Sequence, residues 1–416
     1  MKENIGMDVL PKDYWKRIVF TFCLGWVVIW IYRAMLSPIY SEIQGTIGTQ
    51  TNAAMGLIAS CYFFGYTSMQ IPSGFLVDRF GQKKVLIPGF IIFAIGAFAI
   101  SQASSLMMIY FGSVFAGVGC GTYYGAAFSL TAQHVPAEKK GIATAIVNSG
   151  SALGMIIGMT GSSYIVKTLN LPWQTMVIIS ASLIALLVIW FAIAIKNTTV
   201  VRKANVKEVE VANEEVKKGS LFSFKMISCY ILYFTTCYTY YMIVTWLPKF
   251  LESERGIAGS MIGLIVSMIS VTAVPGALYF AHMSDKKRDK KSLIIIGLEV
   301  VTFVLVAFAM KAPNATVLAI ILLAYGFLGK MAVDPVLISF ISDNANKKDL
   351  ATTLGTFNFF GMSSSIIAPA FTGFIIDKTG SGELGFYIGA GLLLVGTIIF
   401  IFANNKNLVK KEVSNI

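Results

Sequence analysis

The chain has 416 residues, of which 56% are hydrophobic and only 13% are charged. Soluble proteins carry about a quarter charged residues, and a soluble domain cannot bury this much apolar surface, so the composition excludes that class. The formal net charge of +12 does not indicate nucleic-acid binding, because the basic residues are spread over short segments between apolar runs. The sequence therefore predicts a membrane protein that crosses the bilayer several times.

Apolar runs of about 20 residues, the length that crosses a bilayer as a helix, recur along the whole sequence. They predict an all-α membrane protein with twelve transmembrane helices. The predicted spans are 16–40, 52–76, 84–103, 105–131, 141–166, 171–196, 222–250, 258–284, 291–311, 315–343, 349–376 and 382–404. The segment before the first span is polar and has no cleavage site, so we expect no removable signal peptide.

The segments between the predicted spans alternate in charge. Most of the Lys and Arg residues lie on the side that holds both chain ends, so the positive-inside rule predicts cytoplasmic termini. The short termini and loops suggest a bacterial inner (plasma) membrane. The longest polar segment, 197–221, is expected to be a cytoplasmic linker. It separates a predicted N-terminal six-helix bundle (1–196) from a predicted C-terminal one (222–416).

A short pattern repeats at equivalent positions of the two halves. The loop after the second span reads Gly74-x-x-x-Asp78-Arg79-x-Gly81 and continues with basic residues, and the loop after the eighth span has Asp285 before a basic run. An internal repeat of this kind is typical of transporters whose binding site lies between two related halves near the middle of the membrane.

The first of these loops resembles the signature loop of the major facilitator superfamily, G-x-x-x-D-R-x-G-[RK]-[RK], and the resemblance covers essentially the whole chain. It implies two pseudo-symmetric six-helix bundles around a central cavity, and alternating access. It also implies that Asp78 and Arg79 lock the halves together at the cytoplasmic side when the transporter faces outward. The predicted cytoplasmic gate consists of Gly74, Asp78, Arg79, Gly81 and Asp285.

Four segments are similar to the anion:cation symporter branch of that superfamily, which includes sugar-acid permeases and the sialin group. They are residues 32–37, 65–74, 245–251 and 355–369. The chain departs from the branch where many members have an acid before the span-one Arg, and an Arg and a Glu in span four. These positions are Tyr32, Ser113 and Cys120 here. The carboxylates usually associated with proton coupling are therefore missing, so either another acid couples transport or the protein is a uniporter or an exchanger.

Arg33 lies inside the first predicted span. A guanidinium cannot lose its charge, and at membrane depth it costs several kcal/mol unless it faces water or a partner. Because a guanidinium pairs with a carboxylate through two parallel hydrogen bonds, Arg33 is predicted to bind the carboxylate of a small organic anion. The alternative is a structural arginine bonded to helix carbonyls.

Lys330 and Asp334 lie one helical turn apart in the tenth span. In one interpretation Lys330 is a second contact for the anion and Asp334 carries a proton; in the other they form a neutral ion pair. Glu299 lies in the ninth span, which in this fold is usually peripheral to the cavity. Further predicted substrate-binding residues, which supply hydroxyl and amide groups, are Tyr66, Gln70, Tyr241 and Asn358.

The predicted function is secondary transport of a small carboxylate, such as a sugar acid or a short mono- or dicarboxylate, in symport with a proton. We expect a monomer in the lipid bilayer. The alternatives are an anion exchanger of the oxalate:formate kind, an exporter of drugs or lipophilic cations, and a non-transporting receptor. Two cationic residues in the cavity disfavour cationic substrates. No nucleotide-binding or hydrolase motif occurs, and the five cysteines show no paired spacing, so no enzyme, cofactor or metal site is indicated.

Overall fold

The computed structural model of the protein describes residues 13–136, 139–196, 221–345 and 350–404, and its elements there are helical. In chain order the helices are α1 (Tyr14–Met35), α2 (Tyr40–Ile47), α3 (Asn52–Phe80), α4 (Gln82–Ser101), α5 (Leu106–Cys120), α6 (Tyr123–His134), α7 (Lys140–Ser163), α8 (Trp173–Ala194), α9 (Phe224–Ser253), α10 (Met261–Lys286), α11 (Lys291–Ala309), α12 (Ala315–Leu328), α13 (Lys330–Asn344), α14 (Leu350–Thr379) and α15 (Gly382–Asn404).

Within the described residues, eleven helical segments are long and apolar enough to cross a membrane. Helix α3 is not among them, although its 29 residues give it the required length. Its polar side chains, including Gln70 and the charged pair Asp78 and Arg79, lower its mean hydropathy. The chain is thus an integral membrane protein, and the helix bounds lie within a few residues of the predicted spans, apart from the first, which α2 extends to Ile47.

Three predicted spans are divided in the structure. A short 3₁₀ turn, Ser37–Ile39, separates α1 from α2, two residues separate α5 from α6, and Gly329 separates α12 from α13. At Gly329 the backbone leaves the helical region (φ −83°, ψ −148°). Lys330 is therefore the first residue of α13. The interruption lies before Lys330, whereas Pro335 lies inside α13.

Helix α7 packs closely against α1 because a stripe of glycines faces it. The stripe consists of Gly150, Gly154 and Gly158, and a Cβ at Gly154 would lie 2.3 Å from the carbonyl oxygen of Val27. Small residues four apart allow two helix backbones to approach in this way. The contact fixes the rotation of α1 and, with it, the direction in which Arg33 points.

We call the end of the bundle at which α1 begins and α8 ends the terminal face, and the opposite end the far face. At the far face, hydrogen bonds and ion pairs join helices α1–α8 to helices α9–α15. Lys167, only 4% exposed, forms ion pairs with Glu42 (2.7 Å) and with Glu252. Asp377 accepts hydrogen bonds of 2.8 Å from the backbone and side-chain N–H groups of Asn52, at the start of α3. The far face is therefore closed.

Candidate functional site

Arg33 lies in the last turn of α1 and lines a cavity enclosed by α1, α3, α5 and α9. The negative end of the α1 dipole favours a cation at this position. The cavity has a volume of about 40 Å³, which accommodates a few water molecules and is too small for a sugar acid. Substrate can enter only after the surrounding helices move apart.

Five aromatic rings surround the guanidinium group of Arg33, and we call them the aromatic cage. The distances from the guanidinium carbon to the ring centres are 5.6 Å for Trp26, 5.3 Å for Trp30, 5.4 Å for Tyr62, 5.5 Å for Phe63 and 4.4 Å for Tyr66. Aromatic faces attract a cation through their quadrupoles, most strongly where water is excluded. The cage stabilises the charge without neutralising it.

The hydrogen bonds of Arg33 are incomplete. Its Nε donates to the hydroxyl of Tyr62 (3.0 Å), whereas Nη2 is buried and has no hydrogen-bond partner. Among the described residues, the ion pairs do not include Arg33. A buried guanidinium with an unused donor and no counter-ion has the chemistry of an empty anion site.

The three positions at which the sequence departs from the anion:cation symporter branch all lie near Arg33. Tyr32 and Ser113 line the same cavity, and Cys120 is fully buried and interacts electrostatically with the guanidinium. None of the three carries a carboxylate. At the two positions that hold an acid in many members of the branch, Tyr32 and Cys120, this chain therefore offers Arg33 no carboxylate.

A second buried cation, Lys330, lies on α13 and is 8% exposed. Its ammonium group is 2.5 Å from a carboxylate oxygen of Asp334 and 5.5 and 5.7 Å from the ring centres of Tyr233 and Tyr240. The other oxygen of Asp334 is buried and has no hydrogen-bond partner. Unlike Arg33, Lys330 has its counter-ion, as the sequence spacing predicted.

Tyr241 connects the two cationic positions. It lines the cavity of Arg33, its ring centre is 4.8 Å from that of Phe63, and it interacts electrostatically with both Arg33 and Lys330. The two cations therefore belong to one central region between the two groups of helices.

The amide side chains of Gln70 and Asn358 meet across the two helix groups. The Asn358 amide donates a hydrogen bond of 3.3 Å to the Gln70 carbonyl oxygen, and the ring of Tyr66, one turn earlier on α3, faces Arg33. The structure thus brings together the predicted substrate-binding residues of α3 and α14. Among the described residues, this is the hydrogen bond between the two helix groups that lies nearest the terminal face.

The predicted gate residues lie at the terminal face. Asp78, Arg79 and Asp285 are exposed and form no ion pair with a described residue. Gly81 ends α3 with a φ of +86°, which favours glycine. At Gly74 a Cβ would meet no atom within 4 Å, so glycine is not required there by close packing in this conformation.

Sequence reasoning missed the side chain that binds Arg33. Tyr62, the hydrogen-bond partner of Arg33, lies four residues before Tyr66 and hence on the same face of α3, a spacing that signals its position. Glu299, in the span expected to be peripheral to the cavity, is fully buried on α11 and is not among the residues that line the cavity of Arg33. Its placement follows from the packing of α11 against α12, α13 and α15, which the sequence of one span does not specify.

Comparison with known proteins agrees with this architecture. The sequence profile of the Major Facilitator Superfamily matches residues 19–369 and 229–414. The hexuronate transporter of Bacillus subtilis (strain 168) is 24% identical over 422 residues, which cover 94% of this chain and 95% of that protein. A protein of Cupriavidus necator named as a probable sulfoacetate transporter is 25% identical over 408 residues, 93% of each chain.

The fold is shared with a solved structure, a bacterial homolog of the human lysosomal transporter Spinster in an inward-facing, occupied conformation. The TM-score is 0.80 at 13% identity, and the match covers 95% of this chain and 97% of that one. The resemblance found in the signature loop is confirmed by the profile match along both halves of the chain. The chain belongs to the Major Facilitator Superfamily and is a membrane transporter, not an enzyme.

Proposed function

We propose that this protein transports a small organic anion, a carboxylate such as a sugar acid or a short mono- or dicarboxylate, by alternating access. The observation that carries the proposal is the guanidinium of Arg33, which lines a buried cavity with an unused donor and without an acidic partner among the described residues. A carboxylate supplies the missing counter-charge and accepts two parallel hydrogen bonds from a guanidinium. Uncharged or cationic substrates supply neither.

We propose that four further residues bind the substrate; Tyr66 and Tyr241 lie close to Arg33, and Gln70 is bonded to Asn358 across the two helix groups. Tyr66, Gln70, Tyr241 and Asn358 offer hydroxyl and amide groups to the polar parts of the substrate, as sugar-acid hydroxyls require. Lys330 becomes available to a second anionic group when Asp334 is protonated and releases it. The names of the two relatives, which refer to hexuronate and sulfoacetate, support an anionic substrate.

The proposed topology has twelve spans in two pseudo-symmetric six-helix bundles, with α3 as the span of low hydropathy. The bundles are residues 1–196 and 222–416, and 197–221 is the cytoplasmic linker, of which only its last residue lies in the described part of the chain. The excess of Lys and Arg on the terminal face supports cytoplasmic termini in a bacterial inner membrane. We propose a monomer, the usual state for this fold.

In this topology the structure corresponds to a state that faces the cytoplasm. The far face is held shut by Lys167 and Asp377, whereas Asp78 and Arg79 at the terminal face are free of ion pairs with described residues. The gate of Gly74, Asp78, Arg79, Gly81 and Asp285 would form in the opposite state, when the far face opens. Asp334 is the proposed proton carrier if transport is coupled to a proton.

Thermal stability of the purified protein with a panel of ligands tests the proposal. The panel contains carboxylates, neutral sugars, amino acids and lipophilic cations, and a ligand at about 100 times its dissociation constant stabilises by nearly 3 kcal/mol. We expect carboxylates alone to raise the melting temperature. Arg33→Ala should abolish the shift, whereas Arg17→Ala, on the same helix and outside the cavity, should keep it. Stabilisation by cations that Arg33→Ala leaves intact would refute the anion assignment.

One observation favours a second candidate, an anion exchanger of the oxalate:formate kind. The two acids that many members of the branch have at these positions are replaced by Tyr32 and Cys120, so neither position offers a carboxylate to carry a proton with the substrate. Counterflow of labelled anion in proteoliposomes without a pH gradient occurs with both candidates. Accumulation driven by a pH gradient alone occurs only with the symporter.

A further inference from the structure

Glu299 is the most deeply buried carboxylate that the proposed mechanism does not use. It lies near the middle of α11, and its side chain is 0% exposed. One oxygen is 2.5 Å from the hydroxyl of Thr236 on α9, and the other oxygen is buried without a hydrogen-bond partner. Within the described part of the chain, a single neutral hydroxyl is thus the hydrogen-bonding environment of this carboxyl group.

The groups that face Glu299 do not supply a compensating charge. On α13 the charged group that interacts with it is Asp334, a second acid, whose own counter-ion is Lys330. Cys237 on α9 and Tyr325 on α12 are both buried and supply no cation. On α15 the titratable residues are Glu383 and Tyr387, both near the far-face end.

A buried carboxylate without a cation or several hydrogen-bond donors is so unfavourable that the group takes up a proton instead. We propose that Glu299 carries a proton in this conformation and is a second proton-binding site of the transporter. Asp334 is ionised here, because Lys330 is bound to it. The two acids and one lysine together hold one exchangeable proton, and that proton is on Glu299.

The proposed site is linked to substrate binding through Lys330. If Glu299 releases its proton while Asp334 is ionised, two negative charges share one lysine, so release is favoured only when Asp334 becomes protonated or water reaches α11. Protonation of Asp334 frees Lys330 for the anion. The inference that this exchange drives transport rests on the proposed function, whereas the protonation of Glu299 does not.

The experiment uses the full-length protein and the Glu299→Gln variant, which has the shape of the protonated acid and should fold. Infrared difference spectra of wild type minus variant should contain the carbonyl band of a protonated carboxylic acid at neutral pH. A carboxylate band there would overturn the proposal. Glu383→Gln, the same substitution at the far-face end of α15, is the matched control. This variant should keep the protonated-acid band of the wild type, so the band should be absent from its difference spectrum.

Transport measurements test the coupling. Glu299→Gln should retain ligand-induced thermal stabilisation and counterflow but lose at least 10-fold in accumulation driven by a pH gradient, and Glu383→Gln should keep all three. If Glu299→Gln accumulates the anion under a pH gradient as well as the wild type does, Glu299 has no role in coupling. If the wild type neither binds nor exchanges any anion of the panel, the proposed function fails instead, and the infrared band still decides the protonation of Glu299.

Discussion

The ring of Tyr66 lies 4.4 Å from the guanidinium carbon of Arg33, closer than the other four rings of the aromatic cage. Tyr66 is on α3 and Arg33 is on α1. A rotation of α3 would therefore move the ring away from the guanidinium group on α1. The ring stabilises the cation without accepting its protons, which leaves the Nη2 donor available to an anion.

The first prediction separates the ring of Tyr66 from its hydroxyl. Tyr66→Leu removes the closest face of the cage and should weaken carboxylate binding about 10-fold, since a desolvated cation–π contact contributes roughly 1–2 kcal/mol. Tyr66→Phe keeps the ring. Titration of the ligand-induced thermal shift measures the carboxylate affinity of both variants. Equal affinities of Tyr66→Leu and the wild type would show that the ring does not contribute to binding through Arg33.

The second prediction concerns Asp334. Asp334→Asn preserves the shape of the side chain but cannot bind and release a proton, so uptake driven by a pH gradient should be lost while anion binding remains. The control is Asp343→Asn on the same helix, where the carboxylate is 2.5 Å from the ammonium group of Lys291 near the terminal face. Full gradient-driven uptake by Asp334→Asn would remove this residue from the coupling mechanism.

The third prediction tests the Lys330–Asp334 pair as a structural unit. Lys330→Met leaves Asp334 buried without its cation, and breaking a buried pair on one side costs about 3–5 kcal/mol. Replacing both residues, with Asp334→Leu, should recover much of the lost stability and abolish coupled transport. Melting temperatures of the two single variants and the double variant measure the coupling energy, and simple additivity would contradict the pairing.

The fourth prediction concerns the closed far face. Lys167→Met leaves Glu42 and Glu252 close together without the buried ammonium group that joins them. Their repulsion should shift the population toward the state in which the far face is open. Reactivity of a cysteine introduced at Ser41, which donates a hydrogen bond to Glu252, should increase. Lys311→Met, at an exposed far-face lysine, is the control, and unchanged reactivity in Lys167→Met would assign closure to other contacts.

The fifth prediction concerns Gly74, one of the two glycines of the gate. A larger side chain at Gly74 meets no atom within 4 Å in this conformation, so Gly74→Leu should leave thermal stability nearly unchanged. It should nevertheless block transport if the terminal face closes tightly around this position. Gly56→Leu gives the contrast, because its Cβ would lie 2.2 Å from the Pro369 carbonyl oxygen and should destabilise the present state.

The sequence predicted the helix bounds to within a few residues and the one-turn spacing of Lys330 and Asp334, because both depend on local periodicity and hydrophobicity, whereas the count of twelve spans stays a prediction. It also predicted Arg33 as a charge inside the first span. It did not predict the break at Gly329, where one residue leaves the helical region within an apolar run. A break of this kind depends on packing around the residue and not on a run of helix-breaking residues.

The interior positions of Tyr62 and Glu299 depend on tertiary packing. The side that a hydrophobic helix presents to its neighbours is poorly specified when nearly all of its faces are apolar, as in α11. The hydroxyl of Thr236 that meets Glu299 lies 63 residues earlier in the chain. Only the assembled helices show that Tyr62 meets Arg33 and that Glu299 meets Thr236.

The lack of a protein counter-ion at Arg33 has an electrical consequence. The empty site retains one positive charge in the membrane, whereas a monovalent carboxylate bound there makes the site neutral. If the anion moves without a proton, a membrane potential that is negative inside therefore acts on the return of the empty carrier and not on the loaded one, by at most about 2.3 kcal/mol per 100 mV for a charge that crosses the whole field. In the proposed orientation, with the terminal face in the cytoplasm, this voltage favours the state in which the far face is closed.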